Sequence, residues 1–99
     1  MHLSSRQLLA FLEVVRLHSI SKAAERMFLS QPSVSLQIQA LERELEVTLF
    51  ERRGPKIKLT PDGELLFELS MPLVERIDNL PDEFSARRGN VEQGRIDVA

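Results

Sequence analysis

The stretch Ser21-Lys-Ala-Ala-Glu-Arg-Met-Phe-Leu-Ser30-Gln-Pro-Ser-Val-Ser-Leu-Gln-Ile-Gln-Ala-Leu-Glu-Arg-Glu-Leu45 decides the fold. It reads as two short helices joined by a tight turn at Phe28 to Ser30. Ser30 suits an N-cap, because its hydroxyl can accept from the free N–H groups of a first helical turn. Pro32 stands where a missing N–H and a fixed φ do no harm, so the second helix begins at Gln31. Val34, Ile38, Leu41 and Leu45 then recur at helical spacing and fall on one side, which is the side to be buried. Opposite them fall Pro32, Leu36, Gln39, Ala40 and Arg43, with Gln31 and Ser35 on a flank. Upstream, Ala23, Ala24 and Met27 give the first helix a small-residue face that lets the two backbones approach, and the pair is a helix-turn-helix candidate.

Short polar residues at the start of an exposed helix suit the reading of a DNA major groove. The helix N-terminus carries partial positive charge for phosphate, Gln can pair with an adenine edge, and Ser serves several bases. The plainer alternative is a solvated amphipathic helix, and spacing alone does not decide between them.

Working outward, Ser4-Ser5-Arg6-Gln7 has the form of a capping box, with Leu3 and Leu8 at hydrophobic-staple positions, and it opens an earlier helix. Leu8, Phe11, Leu12 and Val15 form its core stripe, His18 falls at its negative end, and Ser21 is the expected cap of the next helix. Beyond Leu45, Val47, Leu49, Ile57 and Leu59 alternate around a basic tip of Arg53, Gly54, Pro55 and Lys56, which predicts a short β-hairpin. A charged tip can reach phosphate or a minor groove, or merely keep a sheet edge soluble.

Thr60-Pro-Asp-Gly-Glu64 starts a last helix, with a Thr cap, Pro in the first turn and acids after it. Leu66, Leu69, Leu73, Ile77, Leu80 and Phe84 make a stripe too long for so small a domain to cover, and it calls for a partner helix. Phe67, Met71 and Val74 form a second stripe able to return to the core. Pro72 and Pro81 predict bends within this helix, and Arg87-Arg88-Gly89-Asn90 predicts its end and a hinge. Gly94 to Ala99 then alternates like an opening strand.

Composition narrows the class. The net charge of -2 hides a division: residues 1–60 hold nine Lys/Arg against six Glu, and residues 61–99 hold four Arg against nine Asp/Glu. Only the front half suits a polyanion, and its modest excess favours two copies binding together. There is no cysteine, hence no disulfide framework. No apolar run approaches the ~20 residues of a membrane span and no signal pattern opens the chain, so a cytoplasmic location and no membrane partner are expected. His2 and His18 are the only histidines and lack metal-ligand spacing. No nucleophile–base pair or Gly-rich phosphate loop accompanies the fifteen carboxylates, so an enzyme is not expected. A winged helix used for protein association stays open on Leu36 and Ala40, against the divided charge and the basic wing.

The run from Ala23-Ala24 through Ser30-Gln-Pro-Ser-Val-Ser35, Gln37-Ile38, Leu41-Glu42 and Leu49-Phe50-Glu-Arg52 to Leu59-Thr-Pro-Asp-Gly63 closely resembles the N-terminal domain of LysR-type transcriptional regulators. The resemblance covers about Leu3 to Arg88. It implies a mainly α fold: a winged helix-turn-helix of three helices and a short hairpin wing over residues 1–60, then a long dimerising linker helix over 61–89. Residues 90–99 would be a hinge and the start of an effector-binding domain that the chain does not include. The recognition helix would be 31–46. The resemblance implies DNA contacts from Gln31, Pro32, Ser33, Ser35, Leu36 and Gln39, and from Arg52 and Arg53 in the wing. Lys22, Ser30 and Lys56 are further phosphate candidates, and Leu66, Leu69, Leu73, Ile77, Leu80 and Phe84 the dimer seam.

It further implies a homodimer on an interrupted inverted repeat in double-stranded DNA and a homotetramer of the full-length protein. No cofactor is implied for this part, and a small-molecule effector is implied for the remainder. Two positions depart from the family pattern. Leu36 stands where many relatives carry Arg or another polar residue; it cannot grip guanine but can meet a thymine methyl. Glu46 stands where relatives usually have Gly, which puts the turn geometry there in question.

Overall fold

The computed structural model describes residues 3–53 and 56–94, which form helix α1 (Ser5–Leu17), α2 (Ile20–Met27), α3 (Gln31–Leu45), the hairpin strands β1 (Phe50–Arg53) and β2 (Lys56–Leu59), and helix α4 (Pro61–Gly94). Their contacts divide the chain into two units after Phe67.

Ser4 stands in extended backbone at the start of α1, and its carbonyl accepts from the Leu8 N–H at 3.1 Å. Its hydroxyl makes no capping bond, so the expected capping box is absent. Gln7 lies beside Ala40 and Arg43 of α3 instead, with its Oε1 buried and unpaired, and Leu3 is left exposed rather than stapled. The buried residues of α1 are Ala10, Phe11, Leu12 and Val14, while Leu8 and Val15 are half-buried. Because α1 packs on both α2 and α3, its buried arc is wider than the stripe read from sequence and is displaced from it.

The cap of α2 is Ser19 rather than Ser21: its Oγ accepts from the Lys22 N–H at 3.1 Å. Ile20 packs against the core, which draws the helix start back and leaves Ser21 exposed in the first turn. The helix closes with Phe28 in the left-handed region (φ 58°), the Phe28 N–H donating to Glu25 and the Leu29 N–H to Ala24. Ser30 caps α3 as expected, accepting from the Ser33 N–H at 3.2 Å. The helix ends at Leu45 because Glu46 turns left-handed (φ 57°), and the Val47 N–H returns to the Glu42 carbonyl at 3.1 Å.

Ala10, Val14, Ala23, Ala24, Val34 and Ile38 form the centre of the three-helix core, with Leu17, Ile20, Met27, Phe50 and Ile57 packed against it. The Phe11 and Phe50 rings lie 5.4 Å apart at a 47° tilt, which fixes the wing on α1. β1 and β2 pair antiparallel, with Phe50 opposite Leu59 and Arg52 opposite Ile57. Leu49, read from sequence as a hairpin residue, lies just before β1 and is fully buried. The Glu42 carboxylate accepts from its N–H at 2.7 Å, tying α3 to the root of the wing.

The first turn of α4 is built into the same unit. The Thr60 hydroxyl donates to the Thr48 carbonyl and accepts from the Gly63 N–H, and the Thr60 N–H donates to the Leu49 carbonyl at 3.0 Å. A side chain at Gly63 would run into that Leu49 carbonyl and the Leu59 side chain, so the Leu-Thr-x-x-Gly run is a packing motif.

In the second unit α4 continues through both prolines. Each removes one N–H and so frees the carbonyl four residues back, at Glu68 and Ile77, but all four residues are exposed and water can serve those carbonyls. The helix also runs through Gly89 to Gly94, past the end expected at Gly89. A glycine costs a helix about 1 kcal/mol relative to Ala, too little to stop one already propagating. The strand expected near the end of the chain falls largely outside the described residues. Leu69, Leu73, Ile77, Leu80 and Phe84 are between 56 and 65% exposed, and Leu66, in the first unit, is half-buried. No helix among the described residues is long and apolar enough to cross a membrane.

Candidate nucleic-acid interface

The outward face of α3 is set by its buried one. Val34, Ile38 and Leu41 are buried, so Gln31, Pro32, Leu36, Gln39 and Arg43 are turned to solvent, with Ser35 half-buried at the edge. Strand register supplies the second wall. Residues alternate in facing along β1, and Arg52 shares the face of Phe50, which packs on the core, while Glu51 and its partner Lys58 take the other face. Arg52 is therefore aimed along α3.

Two adjoining grooves result, and Arg52 lines both. In one, Ser35 and Gln39 face Arg52 over an apolar floor of Ile20, Ile38, Phe50 and Ile57, with Glu42 also in the lining. In the other, Gln31 meets Arg52 and Lys56 of the wing and His18, Ser19 and Ser21 from the junction of α1 and α2. The structure thus brings Gln31, Ser35, Gln39, Arg52 and Lys56 into one continuous surface. Lys22 is exposed on the first turn of α2, just after the groove-lining Ser21.

Other expected contacts are placed differently. Ser33 is half-buried on the far flank of α3, and its Oγ accepts from the Ser30 Oγ at 2.9 Å. Both hydroxyls serve the helix cap first. Pro32 and Leu36 lie on the outermost face of α3, with Leu36 61% exposed. Arg53 pairs with Lys56 in the strand ladder, but its side chain, and the tip residues Gly54 and Pro55, lie outside the described residues.

The surface has a positive bias. Arg52 and Lys56 stand over the N-terminal ends of α2 and α3, whose first-turn N–H groups add partial positive charge. The Glu42 carboxylate on the lining is committed to the Leu49 N–H. Among the described residues no group of His, Cys, Asp or Glu could hold a metal ion. The arrangement offers cations and helix ends for phosphate, beside amide and hydroxyl groups for base edges.

Sequence reasoning missed the groove role of His18, Ser19 and Ser21. Ser21, expected as the cap, lies instead in the first turn of α2 with its side chain exposed. The signal available was Ile20: an apolar residue destined for the core forces the cap to precede it, which turns Ser21 outward.

An apolar-backed helix, a small-residue helix crossing behind it and a hairpin whose arginine flanks it together define a winged helix-turn-helix. Residues 5–64 match the family profile described as bacterial regulatory helix-turn-helix protein, lysR family. The chain belongs to the LysR family. It is 37% identical over 99 residues to the RuBisCO operon transcriptional regulator of Allochromatium vinosum, covering all of this chain and 32% of that protein. It is 37% identical over 75 residues to the HTH-type transcriptional regulator BenM of Acinetobacter baylyi, covering 76% of this chain and 25% of BenM. The chain therefore spans about a quarter to a third of the length of these relatives. Among solved structures, the BenM DNA-binding domain in complex with benA site 1 DNA aligns with a TM-score of 0.76 at 33% identity, covering 85% of this chain and 98% of that one. The CbnR DNA-binding domain in its DNA complex aligns with a TM-score of 0.74 at 34% identity, covering 87% and 99%.

Proposed function

We propose that the chain is the sequence-reading part of a LysR-type transcriptional regulator, binding double-stranded DNA with α3 in the major groove and the wing on the backbone or minor groove. The observation that carries this is the joining of Gln31, Ser35 and Gln39 with Arg52 and Lys56 on one surface. Arg52, Lys56, Lys22 and the helix ends position the module on phosphates; Gln31, Ser35 and Gln39 read base edges. Arg53 is a further phosphate contact by its place on the wing.

Residues 61–89 act as the linker, and α4 supplies the second half of the mechanism. Its 34 residues span about 51 Å at ~1.5 Å per residue, and the row from Leu69 to Phe84 lies exposed, without cover among the described residues. Antiparallel pairing of two such rows makes a homodimer and sets two recognition helices on an interrupted inverted repeat. In the full-length regulator the same reading includes a homotetramer built from two such dimers and a small-molecule effector acting on the remaining length.

The test is site selection from random duplex DNA with the 99-residue chain, followed by fluorescence anisotropy at several salt concentrations. An enriched inverted repeat and a steep loss of affinity with salt are expected. Arg52→Ala should lower the salt slope by about 1 and weaken all duplexes alike, whereas Ser35→Ala or Gln31→Ala should cost about 1 to 3 kcal/mol on the selected site and spare random DNA. Salt-insensitive binding, or no binding, would refute the proposal.

A further inference from the structure

We propose that Leu36 is a specificity residue that recognises the 5-methyl group of thymine, so that each preferred half-site holds a thymine at one fixed place. The inference rests on the reading that α3 enters the major groove, and it names a base contact that reading leaves open.

Leu36 lies opposite the buried row of Val34, Ile38 and Leu41, at the middle of the exposed face, between Pro32 one turn before and Gln39 one turn after. It is 61% exposed, so the fold does not use most of its apolar surface. Neither groove beside the wing includes it: Ser35 and Gln39 turn toward Arg52, and Leu36 points straight out from the helix. A groove-entering helix would therefore press this side chain against the base edges.

The chemistry of those edges selects the partner. The major groove presents N7, O6 and O4 acceptors, N4 and N6 amino donors, and one apolar group, the thymine methyl. Leucine offers no hydrogen bond, so set against guanine or cytosine it strips water from polar atoms without replacing it. Against thymine it buries a methyl on a methyl. That contact is worth about fourfold in affinity per half-site, taking ~0.8 kcal/mol per buried carbon group, and about fifteenfold over two half-sites.

Deoxyuridine is thymidine without the methyl, and it tests the proposal directly. The site selected by the wild-type chain is synthesised with each thymine replaced in turn, and binding is measured for wild type, Leu36→Ala and Leu36→Met, with circular dichroism to confirm folding. One replacement per half-site should weaken wild type and Leu36→Met about fourfold and leave Leu36→Ala unaffected. A selected site on which no deoxyuridine replacement changes wild-type binding overturns the proposal and leaves the DNA reading standing. Equal losses in wild type and Leu36→Ala overturn it too, because another side chain then meets the methyl. Failure to select any sequence refutes the DNA reading and this inference with it.

Discussion

Two glycines of α4 should respond to alanine with opposite signs, and the difference follows from what each would touch. A Cβ on Gly63 would stand 2.7 Å from the Leu59 Cδ2 and closer still to the Leu49 carbonyl oxygen. That carbonyl also accepts the Thr60 N–H at 3.0 Å, so neither the helix start nor the chain entering the wing can yield without straining the Thr60 junction. Overpacking of this kind costs about 1 to 3 kcal/mol, and the helix-propensity gain of about 1 kcal/mol returns only part of it. With the junction bonds disturbed as well, Gly63→Ala should lose about 2 kcal/mol. Gly89 has open space within 4 Å of its Cβ position, so Gly89→Ala should gain about 0.5 to 1 kcal/mol through propensity alone. Urea unfolding at one fixed protein concentration measures both, the concentration held because association shifts apparent stability. At a slope of about 1 kcal/mol per molar, the first variant's midpoint should fall by about 2 M. A Gly63→Ala midpoint equal to that of wild type would refute the packing account of the Leu-Thr-x-x-Gly run.

Ser30→Ala removes the acceptor of the Ser33 N–H and should cost about 1 kcal/mol, lowering a thermal midpoint by about 4 to 8 °C. Glu46→Gly should raise stability by about 0.5 to 1 kcal/mol in urea, because glycine relieves a left-handed φ of 57° while adding freedom to the unfolded chain. Leu73→Glu puts a charge in the exposed apolar row of α4 and should halve the mass seen in sedimentation; an unchanged mass would remove that row from the interface.

The legible parts of the fold were those fixed by local chemistry. Ser30 and Pro32 announce a helix start that neighbours only reinforce, and the spacing of Val34, Ile38 and Leu41 names the buried face without knowing what covers it. The errors fell where a tertiary contact decided between equal local choices. Ser19 and Ser21 are both good caps, and burial of Ile20 chose the first. Gln7 could have completed a capping box, but packing of α1 on α3 drew it aside. The surface itself was legible as separate residues on α3 and the wing. That Arg52 aims along α3 while Glu51 faces away depends on strand register, which sequence does not state.

The first three helices end at His18, Phe28 and Glu46, all left-handed and none a glycine. Each such residue holds roughly 1 kcal/mol of strain, so together they withhold about 3 kcal/mol from a domain whose whole stability is on the order of 5 to 15 kcal/mol. A molecule with so narrow a margin spends more of its life open to proteases whenever nothing holds it, and on the DNA-binding reading proposed above a bound duplex would close that opening by mass action. On that reading its steady-state abundance should follow its occupancy, with chains seated on their sites persisting while surplus chains are cleared.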